Sequence, residues 1–183
     1  MLKISGIPIK VFLIAVLLIS VLLAQDGEEQ DMWKAFEFFI DKWEGKVEGK
    51  YGEGKIDLEF SFVLRGVYLQ LKNKTVFEPQ EKNPAGEVHQ DFGFISYDEN
   101  RENYVLREFN VEGFVNQYVL DSLSEDGKTL VFTTENIENI SPGWRARLTY
   151  NVLNDNEFRQ VFELAPSEKD FEVCTEAHLK RKQ

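Results

Sequence analysis

A single cysteine, Cys174, means that no intramolecular disulfide can hold this chain together. Histidine is almost as scarce. His89 and His178 lie far apart, and with one cysteine they do not supply the clustered spacing of a zinc site. No glycine-rich phosphate loop and no nucleophile elbow occur, because the glycines at 45, 49, 52 and 54 belong to a strand and its turn. Basic residues are the minority, 21 against 32 acidic ones, and no dense lysine or arginine tract interrupts that deficit. A net charge of -11 repels phosphate backbones and anionic lipid surfaces, which argues against nucleic-acid binding.

What is present begins with a leader. MLKISGIPIK carries only Lys3 and Lys10, and VFLIAVLLISVLLA then runs from Val11 to Ala24 without a charge. This is the basic n-region and apolar h-region of a secretory signal, shorter than the roughly 20 residues of a membrane-spanning helix. Residues 1–24 are therefore expected to be removed, with Gln25 as the first mature residue and no stable membrane insertion. Leu22 stands where a small residue is preferred at the cleavage site, so an uncleaved tether is the alternative. The mature chain, residues 25–183, would be exported to the periplasm or secreted. Loss of two lysines and no acid makes it more acidic still. It is long enough for one domain with a sizeable core.

Asp31 is placed to cap a short helix carrying Met32, Phe36, Phe39 and Ile40 at spacings of three and four. From Trp43 onward the period becomes two. Runs rich in Val, Ile, Phe, Tyr and Thr, near 43–51, 55–65, 67–77, 87–97, 103–111, 114–122, 129–135, 144–152, 157–164 and 171–181, are separated by turn formers such as Asp126-Gly127 and Pro142-Gly143. About ten sequential antiparallel strands without intervening helices close most economically into an up-and-down barrel of lipocalin type, which removes exposed edges. A β-sandwich is the alternative. In the second run Ile56, Leu58, Phe60, Phe62 and Leu64 share the apolar face, and in the last Phe171, Val173, Thr175, Ala177 and Leu179 are read as inward.

The stretch Asp41-Lys42-Trp43-Glu44-Gly45-Lys46-Val47-Glu48-Gly49 resembles the opening of the nitrobindin-like barrels, relatives of the fatty-acid-binding proteins and lipocalins within the calycins. Gly93-Phe94-Ile95-Ser96-Tyr97-Asp98, Phe162-Glu163-Leu164 and His178-Leu179-Lys180-Arg181 extend the likeness towards a bacterial branch of that group. The resemblance implies a ten-stranded barrel with a short helix at one end. It also implies a haem cofactor held by a C-terminal histidine, for which His178 is the positional match. Alternation sets His178 with Glu172, Glu176 and Lys180 on the outer face, so a surface histidine with no cofactor is the primary reading and haem the alternative.

Among the other candidates, His89 sits two residues from Asp91, but no serine or cysteine nucleophile accompanies the pair, and His89 is read as a loop residue. The sequon Asn73-Lys74-Thr75 is read as a chance occurrence. About ten strands enclose more room than eight, so a cavity is expected. Phe60, Phe62, Phe92 and Phe94 are assigned to its apolar lining, Arg107 to an inward position facing a ligand carboxylate, with pairing to a Glu or capping of the barrel as its alternative, and Trp43 to the barrel floor. The expected function is non-enzymatic binding of a small apolar or amphipathic molecule. A ligand-free barrel acting on an envelope partner is the remaining alternative.

Overall fold

The computed structural model describes residues 32–183, so the leader and the Asp31 cap lie outside the described residues. A six-residue 3-10 helix, Lys34–Phe39, precedes the strands. Ten strands follow: β1 (Asp41–Gly49), β2 (Gly52–Val63), β3 (Tyr68–Phe77), β4 (Glu87–Asp98), β5 (Asn103–Asn110), β6 (Val115–Leu123), β7 (Thr129–Glu138), β8 (Arg145–Asn154), β9 (Glu157–Ala165) and β10 (Glu172–Arg181). Each pairs antiparallel with its sequence neighbours, and β1 pairs with β10, so the sheet closes on itself. The expected all-β up-and-down barrel is the observed one. No described helix is long and apolar enough to cross a membrane.

Closure depends on two glycines in β1. A Cβ at Gly45 would overlap the carbonyl oxygen of His178, and one at Gly49 would overlap that of Cys174. The Trp-x-Gly motif thus has a backbone cause: the residue after next from Trp43 must lack a side chain for β10 to come within ladder distance.

One half of the interior is filled. Trp43, Phe60, Phe132, Tyr150 and Phe158 all turn inward and are buried. Trp43 stacks edge-on against Phe158 with ring centroids 4.7 Å apart, and Phe39 meets Phe158 at 5.2 Å and Phe60 at 5.6 Å. The indole Nε1 of Trp43 donates to the Phe39 carbonyl at 2.8 Å, and the Arg181 guanidinium lies 4.3 Å from the indole centroid while pairing with Asp41 at 2.9 Å. Ring faces, edges and the indole N–H are all used, so this end is a dense plug.

Two parts of the expected inward set are corrected. Phe92 is 52% exposed and opposes Phe109 on the outer surface, and Phe94 shares that outer face. In β10 the register shifts between Val173 and Thr175, which buries Cys174 and turns Val173 outward. Phe171 lies under Arg145 and Arg147, with guanidinium carbons 4.9 and 4.4 Å from its ring centroid.

Truncating the plug should therefore cost far more than truncating the outer rings. Trp43→Ala is expected to lower the unfolding free energy by about 3–5 kcal/mol. Phe92→Ser should lower it by less than about 1 kcal/mol, mainly through the lost cross-strand contact. Urea titrations of both variants check this, and the reverse order would contradict the inward and outward assignment.

Candidate functional site

The half of the barrel opposite the plug is open. There the interior forms a cavity of about 280 Å³, reached from the end where β1, β3, β5, β7 and β9 terminate. Its two walls differ in chemistry. One is apolar: Val47 and Ile56 from β1 and β2, Leu148 from β8, Phe162 and Leu164 from β9, and Ala177 from β10. The other is polar: Asn73 and Thr75 from β3, His89 and Asp91 from β4, Glu108 from β5 and Asn116 from β6.

The polar wall follows directly from register. Asn73 opposes Asp91, Thr75 opposes His89, and Glu108 opposes Asn116, so inward positions of four adjacent strands form one continuous surface. Asn73 Nδ2 donates to Asp91 Oδ2 at 2.7 Å, and the ring of His89 spans two carboxylates, with Nε2 3.1 Å from Asp91 and Nδ1 2.8 Å from Glu112. Asn116 Nδ2 donates to Glu108 Oε2 at 3.4 Å and to the Tyr118 hydroxyl oxygen at 3.1 Å, while that hydroxyl donates to Glu108 at 3.3 Å.

These contacts move proton affinities in two ways. The hydrogen bond to Asp91, followed by that to Glu112, outweighs burial and raises His89 to about 9, so an imidazolium sits on this wall at neutral pH. Burial, reinforced by the charge of Asp91, raises Glu108 to about 8 against the opposing hydrogen bonds of Asn116 and Tyr118. Glu108 is therefore a neutral acid at pH 7. Burial and then the Glu108 charge push Tyr118 and Tyr150 well above the usual phenol range.

At the cavity mouth Glu87, His89 and Glu112 bring three ligand-type atoms within 4.8 Å of one another. Both ring nitrogens of His89 are engaged by carboxylates, Nε2 by Asp91 and Nδ1 by Glu112, so the protonated ring acts here as an ion-pair partner and offers no lone pair to a cation. Sequence spacing did not show this group, because its members come from β4 and from the β5–β6 connection and meet only through register.

The residues singled out in the sequence are distributed as follows. Phe60 is in the plug, not on the cavity wall, and Phe62, on the same face, is 40% exposed. Phe92 and Phe94 are outside, as is Arg107, whose Nη1 donates to Ser96 Oγ at 3.3 Å; the inward neighbours of Arg107 are Leu106 and Glu108. His178 is on the outer face with its side chain 52% exposed, 3.3 Å from Glu157. An outward His178 does not fit an axial ligand to haem inside the barrel. His89, assigned to a loop, is instead an inward residue of β4, and Asn73 of the sequon points into the interior. Cys174 does not line the cavity.

No family model matches this sequence, and no curated relative matches it. Among solved structures, the crystal structure of Rv2717c from M. tuberculosis superposes with a TM-score of 0.63 at 16% identity, covering 83% of this chain and 98% of that one. The likeness is one of fold. It supports the ten-stranded antiparallel barrel and, at that identity, nothing about ligand.

A carboxyl that stays protonated in the native state but ionises in the unfolded chain weakens folding as pH rises. The stability linked to Glu108 is complete below the ordinary carboxylate range and is lost as pH climbs towards about 8. Glu108→Gln, which keeps the shape and removes the titration, should raise the thermal midpoint by a few degrees at pH 7.5 and leave it nearly unchanged at pH 4.5. Calorimetric melts at the two pH values check this; equal shifts at both would show that Glu108 titrates normally.

Proposed function

We propose that this chain is a non-enzymatic binding protein, a carrier or sensor, that holds one small amphipathic molecule inside its barrel. The observation that carries the reading is the cavity itself, with an apolar wall facing a hydrogen-bonding one. At about 280 Å³ it is roughly twice an engineered cavity of ~150 Å³ that takes up benzene, which suits a ligand of one or two rings or a short aliphatic chain. Ligand sites are commonly apolar pockets with a few convergent polar groups, and Asp91, Glu108 and Asn116 supply those here. Among the described residues neither a serine nor a cysteine lines the cavity, which favours binding over nucleophilic catalysis.

The leader ending at Ala24 supports an exported role, in which a cavity protein takes up or delivers its ligand outside the cytosol. The acidic balance of the chain keeps such a carrier soluble.

Ala177 faces the cavity from β10, so Ala177→Trp should fill it. Mass spectrometry of organic extracts from natively purified protein is expected to find a bound small molecule in the parent and none in the variant. Uptake of a fluorescent naphthylamine dye should be lost in parallel, and the unfolding free energy should fall by no more than about 1–3 kcal/mol. The proposal fails if repeated parent preparations carry nothing and take up no dye, or if the variant binds as the parent does.

A further inference from the structure

We infer that the cavity selects a small organic cation, an apolar body carrying a protonated amine or amidine head, over a carboxylate. This rests on the reading of the cavity as a ligand site and names the ligand class.

Charge is the first argument. Among the described residues no lysine or arginine lines the cavity, whereas Asp91, Glu108, Glu112 and Glu87 all do, against one imidazolium, that of His89. A ligand carboxylate would enter among carboxyl groups with one cation that is already shared between Asp91 and Glu112.

Hydrogen-bond supply is the second, independent argument. Among the described residues two buried side-chain oxygens have no partner: Oε1 of Gln160, which lines the cavity, and the hydroxyl of Tyr150, a residue 2% exposed on the same inward face of β8 as the lining Leu148. The Tyr150 phenol is close enough to Glu108 and Asp91 for both charges to raise its proton affinity. Glu108 receives only the long bonds of 3.3 and 3.4 Å from Tyr118 and Asn116. The Tyr150 hydroxyl can donate or accept, but Gln160 Oε1 can only accept, so the interior holds a buried acceptor that no donor of the described residues reaches. An ammonium or amidinium supplies donors and positive charge together, which is what unsatisfied buried acceptors demand.

The third is the protonation of Glu108 itself. It faces Asp91 and His89 from β4, Asn116 and Tyr118 from β6, and Tyr150 from β8, and no cation touches it. Seating an ammonium beside it favours the carboxylate, so the acid proton leaves to solvent as the cation binds.

The test uses purified protein in EDTA, which removes any metal from the Glu87–His89–Glu112 mouth, and three probes of one shape: phenethylamine, phenethyl alcohol and hydrocinnamate. Calorimetric titrations at pH 7 in buffers of different ionisation heat should give an amine Kd at least about tenfold below the other two. Close to one proton should be released per amine bound. Because the buried acid of Glu108 gives up its proton more readily as pH rises, amine affinity should rise from pH 6 to pH 8. Glu108→Gln should abolish the proton release and weaken the amine about tenfold while leaving the alcohol unchanged. Hydrocinnamate binding as tightly as the amine, or amine binding that ignores both pH and Glu108→Gln, overturns the inference and leaves the cavity reading standing. If none of the three binds and Ala177→Trp also changes no extracted ligand, both readings fall.

Discussion

Everything else in this molecule depends on how closely β1 approaches β10. The two strands pair over seven residues, Trp43 to Gly49 against Arg181 to Thr175, and they can do so only because Gly45 and Gly49 present no Cβ to the carbonyls of β10. That contact ends the sheet on itself and leaves no edge strand. It also sets the parity of the whole barrel: with the ladder closed, each side chain is assigned to the interior or the exterior, and a slip by one residue would invert every assignment along a strand.

Parity then divides the interior by depth. Near the plug the inward positions of β4 and β5 are Ile95 and Leu106, both fully buried against the aromatic cluster around Trp43 and Phe158. One to three inward positions further along the same strands, the inward residues become Glu108, Asp91 and His89. The rigid plug holds the strands in register, and the strands hold the polar wall in place. The aromatic plug and the polar-walled cavity are thus located in different halves of one barrel, and the polar half has a raised carboxyl that weakens folding as pH rises.

The fold was legible because strand signals repeat. Ten runs of β-branched and aromatic residues, broken by turn formers, specify ten strands, and their number favours closure. The site was largely illegible for a physical reason seen in β4. There the outward residues are Val88, Gln90, Phe92 and Phe94 and the inward ones Glu87, His89, Asp91, Gly93 and Ile95, the opposite of what the rule of apolar residues inside assigns. Phe92 and Phe94 were therefore placed in the lining, and Arg107, which shares its outer face with Phe109, was placed inward with them. One signal was present: His89-x-Asp91, Asn73-x-Thr75 and Asn116-x-Tyr118 are polar pairs at strand spacing on neighbouring strands. Period-two polar pairs inside otherwise apolar runs mark a wetted interior as readily as an outer surface, and parity alone does not choose between them.

The amino-acid sequence by itself determined the secondary structure, the barrel class, the glycine-dependent start of β1 and the outward setting of His178, because these rest on local backbone preference and on alternation within one strand. Only the tertiary structure decided which face of β4 and β5 is the inner one, that Cys174 rather than Val173 is buried, and that His89, Asp91, Glu108 and Asn116 form a common wall. Those outcomes depend on register between strands distant in sequence, and register is set by ring closure, which no single strand encodes.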